Sequence, residues 1–278
     1  MKASKANSQD TKWVFLKKGT CSRTLYYMLN REFGHPRETE ERAADPLAGG
    51  IMQQGYQCGL LTGSVLAVGA ESHRRCGDCG KAISLAITAT QRISESFSKR
   101  AKSVDCLDIT EANFSNKLST AKYFISGKFI SCYKLADKWA PEAIKVAGDA
   151  LSQVQDDLPT EAVSCASELV KKMGGSAEEI TTVAGFAGGI GLSGNACGAL
   201  SATIWKSSLA WCVSNDEKNG YPNPGATNAL EAFFAETDYE FLCHKISGRH
   251  FKTLDEHTEF IKNGGCKKLI DALALAGQ

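Results

Sequence analysis

Residues 48–62 read AGGIMQQGYQCGLLT, and residues 187–201 read AGGIGLSGNACGALS. The two stretches stand 139 positions apart, half of the 278-residue chain. Self-similarity at a fixed period marks a duplicated structural unit. Working outward, the match continues. Upstream, Cys21 opens a helical pattern that runs to Gly34, and Cys165 opens a similar one that runs to Gly174. Downstream, Cys106, Ile109 and Phe114 recur 137 positions later as Cys243, Ile246 and Phe251. Cys132, Lys134, Leu135 and Asp137 recur 134 positions later as Cys266, Lys268, Leu269 and Asp271. The drifting offset places short insertions or deletions in loops, where chains tolerate them.

Each half therefore carries four cysteines in the same order: Cys21, Cys58, Cys106 and Cys132, then Cys165, Cys197, Cys243 and Cys266. A buried cysteine used as core filling exchanges readily with other small residues, because packing asks only for volume. Four cysteines held at four matching places in two otherwise diverged halves ask for sulfur chemistry instead. Of the three left over, Cys76 and Cys212 are loose counterparts of each other, and Cys79 has none.

The periodicity is helical. Cys165, Leu169 and Met173 fall on one face at i, i+4 and i+8. Ser176 followed by Glu178 and Glu179 reads as an N-cap with an acidic first turn. Residues 80–98, 134–151 (with a break or kink at Pro141) and 198–213 fit further helices, and alternation of the strand type is scarce. The expectation is an all-α protein of two pseudo-repeated helical-bundle units, 1–155 and 156–278. Their boundary falls in the polar stretch 153–159, and the units pack on each other with pseudo-twofold symmetry.

Composition excludes several classes. Hydrophobic residues make up 43% and charged residues 23%, which rules out a disordered chain or a coiled-coil rod. A net charge of +1 gives no electrostatic case for nucleic acid or an anionic membrane surface. No apolar run approaches the roughly 20 residues of a membrane helix. The polar N-terminus shows no secretory signal, so the expected location is cytoplasmic, where stable structural disulfides are rare.

Three motifs need weighing. Gly189, Gly191 and Gly194 spell GxGxxG, but no strand precedes them and the first copy has Met52 in place of the middle glycine; a dinucleotide fingerprint requires a strand there. The glycines instead suit a sharp turn whose N–H groups approach the following cysteine. Together with a helix dipole, these would make low-pKa thiols of Cys58 and Cys197. Cys76 and Cys79 form a C-x-x-C, the spacing of a redox dithiol or half a zinc site; Gly80 stands where covalent haem attachment needs histidine. His35, His73, His244, His250 and His257 lie outside the repeated pattern.

The segment Gly194-x-x-Cys197-Gly198-Ala199-x-x-Ala202, with Gly185-Phe-Ala-Gly-Gly-Ile-Gly191 before it, resembles the C-GCAxxG-C-C family, whose members are regarded as redox-active. The resemblance covers the chain as two tandem units. Leu60 replaces the motif's alanine in the first copy, and Ala202 its final glycine in the second. The resemblance implies an all-helical redox protein. Its cofactor would be an iron–sulfur cluster ([2Fe–2S] or [4Fe–4S], no haem) in each half, held as metal ligands by Cys21, Cys58, Cys106 and Cys132 and by Cys165, Cys197, Cys243 and Cys266. Electron transfer with an unidentified redox partner protein follows, and a homo-oligomer is compatible. Two alternatives remain open at this stage: a thiol–disulfide oxidoreductase using Cys58 and Cys197, and a structural zinc protein. Whether the chain is an enzyme is left open.

Overall fold

The computed structural model describes residues 8–77, 79–152, 158–215 and 219–278. Among them the chain is all-α, with two isolated β-bridges as its only extended pairing. The first half begins with α1 (Ser8–Lys18), which has no counterpart among the described residues of the second half. Seven helices then follow in each half, in the same order. In the first they are α2 (Cys21–Glu32), α3 (Glu38–Arg42), α4 (Gly59–Arg75), α5 (Cys79–Ala101), α6 (Cys106–Thr110), α7 (Lys117–Ile125) and α8 (Phe129–Leu151). In the second they are α9 (Cys165–Lys172), α10 (Ala177–Thr182), α11 (Gly198–Ser214), α12 (Pro224–Thr237), α13 (Cys243–Ser247), α14 (Leu254–Lys262) and α15 (Lys267–Ala276). A 3₁₀ turn, Asp45–Leu47 or Ala184–Phe186, follows α3 and α10 respectively.

The helix ends follow local chemistry. Thr20, Ser164, Asn223 and Thr253 each accept a backbone N–H in the first turn of the helix that follows. Ser176 and Glu179 form a reciprocal capping box at α10. Pro141 lies inside α8 without ending it, so the helix is not broken there. Of the stretch 153–159 expected to hold the domain boundary, residues 153–157 lie outside the described residues.

α4 and α11 form the centre. Every residue of α4 from Gly59 to Ser72 is buried, and α11 is buried from Gly198 to Trp205. Within each half, α4 packs on α2 and α5, and α11 packs on α9 and α12. Between halves the contacts are reciprocal: α4 packs on α10, and α11 packs on α3. Such self-complementary pairing is what a twofold relation produces. The approach is close. A Cβ on Gly69 would stand 2.2 Å from the Thr182 carbonyl oxygen, and Trp205 Nε1 donates to the Glu40 carbonyl at 3.2 Å. Gln57 Nε2 donates to the carbonyl of Ala196, its own counterpart at offset 139, at 3.2 Å and fully buried. Tyr56 stacks on Phe241 with ring centroids 4.1 Å apart. One contiguous apolar core runs through both halves. No helix among the described residues is long and apolar enough to cross a membrane.

Candidate redox centres of the two halves

The glycine-rich stretch builds each centre. Five consecutive residues have left-handed backbone in both copies: Gly49, Gly50, Ile51, Met52 and Gln53, and Gly188, Gly189, Ile190, Gly191 and Leu192. A β-branched residue such as Ile51 (φ 61°) or Ile190 (φ 69°) rarely adopts this region. Its cost, of order 1–3 kcal/mol per residue, marks a place where the surroundings dictate the backbone. Gly50 cannot be otherwise: a Cβ there would lie 2.4 Å from the Tyr56 nitrogen. The turn closes with Gly55 N–H on Gly49 O and Tyr56 N–H on Gly50 O, and the chain then enters the short bridge Gln57↔Asp105.

That bridge sets two cysteines side by side. Cys58 donates its N–H to Val104 O at 2.8 Å, and Cys106 donates its own to Tyr56 O at 2.6 Å. The second half repeats the device at Ala196↔Leu242, with Cys197 on Phe241 O at 2.8 Å and Cys243 on Asn195 O at 2.7 Å. Cys58 and Cys197 are the N-cap residues of α4 and α11, while Cys21 and Cys165 are the first residues of α2 and α9. Cys132 sits in the first turn of α8. Cys266 precedes α15 with a left-handed backbone, φ 57°.

Cys21, Cys58, Cys106 and Cys132 line one cavity of about 460 Å³. Cys165, Cys197, Cys243 and Cys266 line another of about 10 Å³, room for about one water. All eleven cysteines are free thiols, and Cys58, Cys106, Cys165, Cys197 and Cys243 are buried. Among the described residues, no group of three or more His, Cys, Asp and Glu side chains stands as it would to hold a metal ion.

Electrostatics differ from the expectation at Cys58 and Cys197. Cys58 and Cys21 share a hydrogen bond that lowers the Cys21 thiol and raises Cys58 well above its ordinary value, with burial raising it further. Cys197 is pushed up to about 12, first by burial and then by the charge of Cys165. Donors of the expected kind do reach sulfur, but differently: Gly49 N–H lies on Cys21 and Gly188 N–H on Cys165, while Cys197 receives the N–H groups of Ala199 and Leu200. Desolvation outweighs them at Cys165 and Cys197. Low-pKa nucleophiles at Cys58 and Cys197 are therefore corrected; in the first half the lowered thiol is Cys21. Burial also raises Cys106, Cys132 and Cys243, and pushes Cys266 up to about 12.

Tyr123 is a site residue that spacing and cysteine counting miss. Its hydroxyl lies 3.0 Å from Cys132 Sγ, and this bond lowers the thiol against the effect of burial. At the offset of 137 that relates Cys106 to Cys243, its counterpart is Phe260, which lines the second cavity. A repeated aromatic at that offset was the available signal. The leftover motifs stay apart from both centres: Cys79 is exposed at the start of α5, Cys76 is buried, and Cys212 is buried in α11. His257 lines the second cavity and donates its Nδ1–H to Val163 O at 3.3 Å. His244 and His250 stack on each other, centroids 4.4 Å apart, and His35 and His73 lie in neither cavity.

Two tandem four-cysteine helical units with these centres define a class, and comparison with known families agrees. A family model described as "Putative redox-active protein (C_GCAxxG_C_C)" matches residues 20–143 and again 161–276. The chain belongs to that family, as two copies of its unit. No curated protein and no solved structure matches the chain.

Proposed function

We propose that the protein is an electron-transfer protein whose first half holds an iron–sulfur cluster on Cys21, Cys58, Cys106 and Cys132. The observation that carries this reading is the convergence of four thiols from four separate elements on one cavity of about 460 Å³. Four cysteines are the donor set of both [2Fe–2S] and [4Fe–4S] clusters. A cavity of about 460 Å³ lined by the four thiols is larger than a single zinc ion with about 2.3 Å bonds needs, which favours a polynuclear group over structural zinc. When bound, such a cluster supplies reversible one-electron chemistry.

The chain's own residues prepare the place. Gly49 N–H and Tyr123 Oη supply hydrogen bonds to Cys21 and Cys132, which stabilise negative charge on the sulfurs and raise a reduction potential. Gly59 leaves room at Cys21: a Cβ there would lie 2.3 Å from Cys21 Sγ. The second half offers the same donors around about 10 Å³, so a second cluster requires Phe260 or Leu269 to give way. Thiol–disulfide exchange through Cys58 and Cys197 finds less support, because both thiols are pushed up, protonated and weakly nucleophilic at neutral pH. The test is the visible spectrum of anaerobically purified protein, with iron and acid-labile sulfide assayed together. Brown protein with iron and sulfide in comparable amounts is expected. A colourless protein carrying zinc, or no metal at all, overturns the reading.

A further inference from the structure

The first cavity is much larger than the second, although the same four cysteines line both. The added walls come from outside the first four-cysteine unit. Phe15 and Lys18 belong to α1, which has no counterpart among the described residues of the second half, and Asn219 and Tyr221 arrive from the second half itself. The first half adds five aromatic residues to the lining: Phe114, Tyr123, Phe124, Phe129 and Tyr133. Phe15 stacks on Tyr133 with centroids 4.4 Å apart, Phe129 meets Tyr133 edge-on at 6.2 Å, and Phe124 tilts on Phe129 at 6.0 Å. A volume of about 460 Å³ lies in the range of small-molecule sites, which are apolar with a few polar groups. We propose that this chamber is a binding site for one planar aromatic molecule bearing ring carbonyl oxygens, of the quinone class. It would be seated against Phe15, Phe124, Phe129 and Tyr133, in the share of this one cavity that a group held by the first-half thiols leaves free.

The chemistry of the walls selects that class. Ring faces and edges favour a flat π-system over an aliphatic of equal size by offset stacking and edge contacts. The Asn219 amide and the Tyr221 phenol bring hydrogen-bond donors to the lining, suited to a carbonyl oxygen. Asp45 is on the wall too, but its oxygens already accept from Thr20 Oγ1 at 2.7 Å and from Gly220 N–H at 3.2 Å. Burial holds its carboxyl above the usual range, so the wall does not call for a cationic ligand. The choice of a redox-active aromatic rests on the electron-transfer reading; the chamber itself rests on the geometry alone.

Calorimetric titration of the full-length protein with duroquinone, whose substituted ring cannot be added to by thiols, tests this without requiring electron transfer. One site per chain is expected, with cyclodecanone, a ring ketone of similar size without π-faces, binding at least tenfold more weakly. Phe124→Ala and Tyr221→Ala should each weaken duroquinone about tenfold, whereas Tyr239→Ala, an exposed aromatic of the second half, should not. Phe124 is 56% exposed, so its truncation leaves the fold intact; circular dichroism checks both variants. No binding, equal binding of cyclodecanone, or binding indifferent to both wall variants overturns the proposal. A brown, iron-bearing protein that fails to bind duroquinone sinks the chamber alone. Binding by a colourless, metal-free protein sinks the electron-transfer reading and leaves the chamber standing.

Discussion

Tyr123 and Phe260 occupy equivalent places, and the single hydroxyl between them separates the two centres chemically. Tyr123→Phe should cost no more than about 1 kcal/mol of stability, the worth of one ordinary hydrogen bond. It should also lower the midpoint potential of the first centre, because Cys132 Sγ loses a donor; an unchanged potential in redox titration removes Tyr123 from the site. His257 offers a pH test. Buried at 1% exposure and pushed down to about 4 by desolvation, it stays neutral in the fold while the unfolded chain takes a proton near pH 6.5. The unfolded state thus binds more protons between those values. Stability should rise with pH across roughly 4 to 6.5, by up to about 3 kcal/mol from this group. Chemical denaturation at several pH values checks this, and His257→Gln should flatten the slope. At this scale the grouping of eight cysteines by fours on two cavities was legible, because duplication pairs each one with its counterpart. Which sulfur carries the lowered pKa was not legible, because that depends on the Cys58-to-Cys21 bond and on burial, which spacing does not encode.

Helices α2 and α4 show what the small residues of the motif do. A Cβ on Gly63 would stand 2.0 Å from the Ser22 carbonyl oxygen, so Gly63 lets the two helices touch backbone to backbone. Ala202 at the matching position of α11 is fully buried; the second half accommodates a methyl there. Gly63→Ala should therefore destabilise by about 3 kcal/mol or more, whereas Ala202→Gly should cost about 1 kcal/mol by helix propensity and lost packing; thermal denaturation distinguishes them. Helix existence was readable from periodicity and caps. Residues 198–213 were expected and α11 spans Gly198–Ser214; residues 80–98 were expected and α5 spans Cys79–Ala101. The left-handed turns were not readable in full. Glycines announce them, but Ile51, Met52, Gln53, Ile190 and Leu192 take positive φ against their own preference, held there by tertiary structure. The paired bridges beside Cys58 and Cys197 escaped notice as well, since one hydrogen-bonded pair leaves no alternation to read.

For the whole molecule, the reciprocal contacts of α4 with α10 and α11 with α3, and a core continuous across both, make the halves one cooperative unit. Urea unfolding should follow a single transition, coincident by circular dichroism and tryptophan fluorescence; two separated transitions would mean that the halves are independent. Duplication and helical class were visible in the repeat, and the reciprocal contacts of the halves fit the twofold relation expected from it. The asymmetry was not, because Phe15, Lys18, Asn219 and Tyr221 reach the first centre from outside its four-cysteine pattern. That asymmetry sharpens the central claim, that the first four cysteines hold the cluster. Its most direct test is the iron content per chain of Cys58→Ser and Cys197→Ser beside the unmodified protein, all purified anaerobically. The account predicts that Cys58→Ser loses its iron and its colour, while Cys197→Ser keeps both. Iron retained in Cys58→Ser, or lost only in Cys197→Ser, would contradict it.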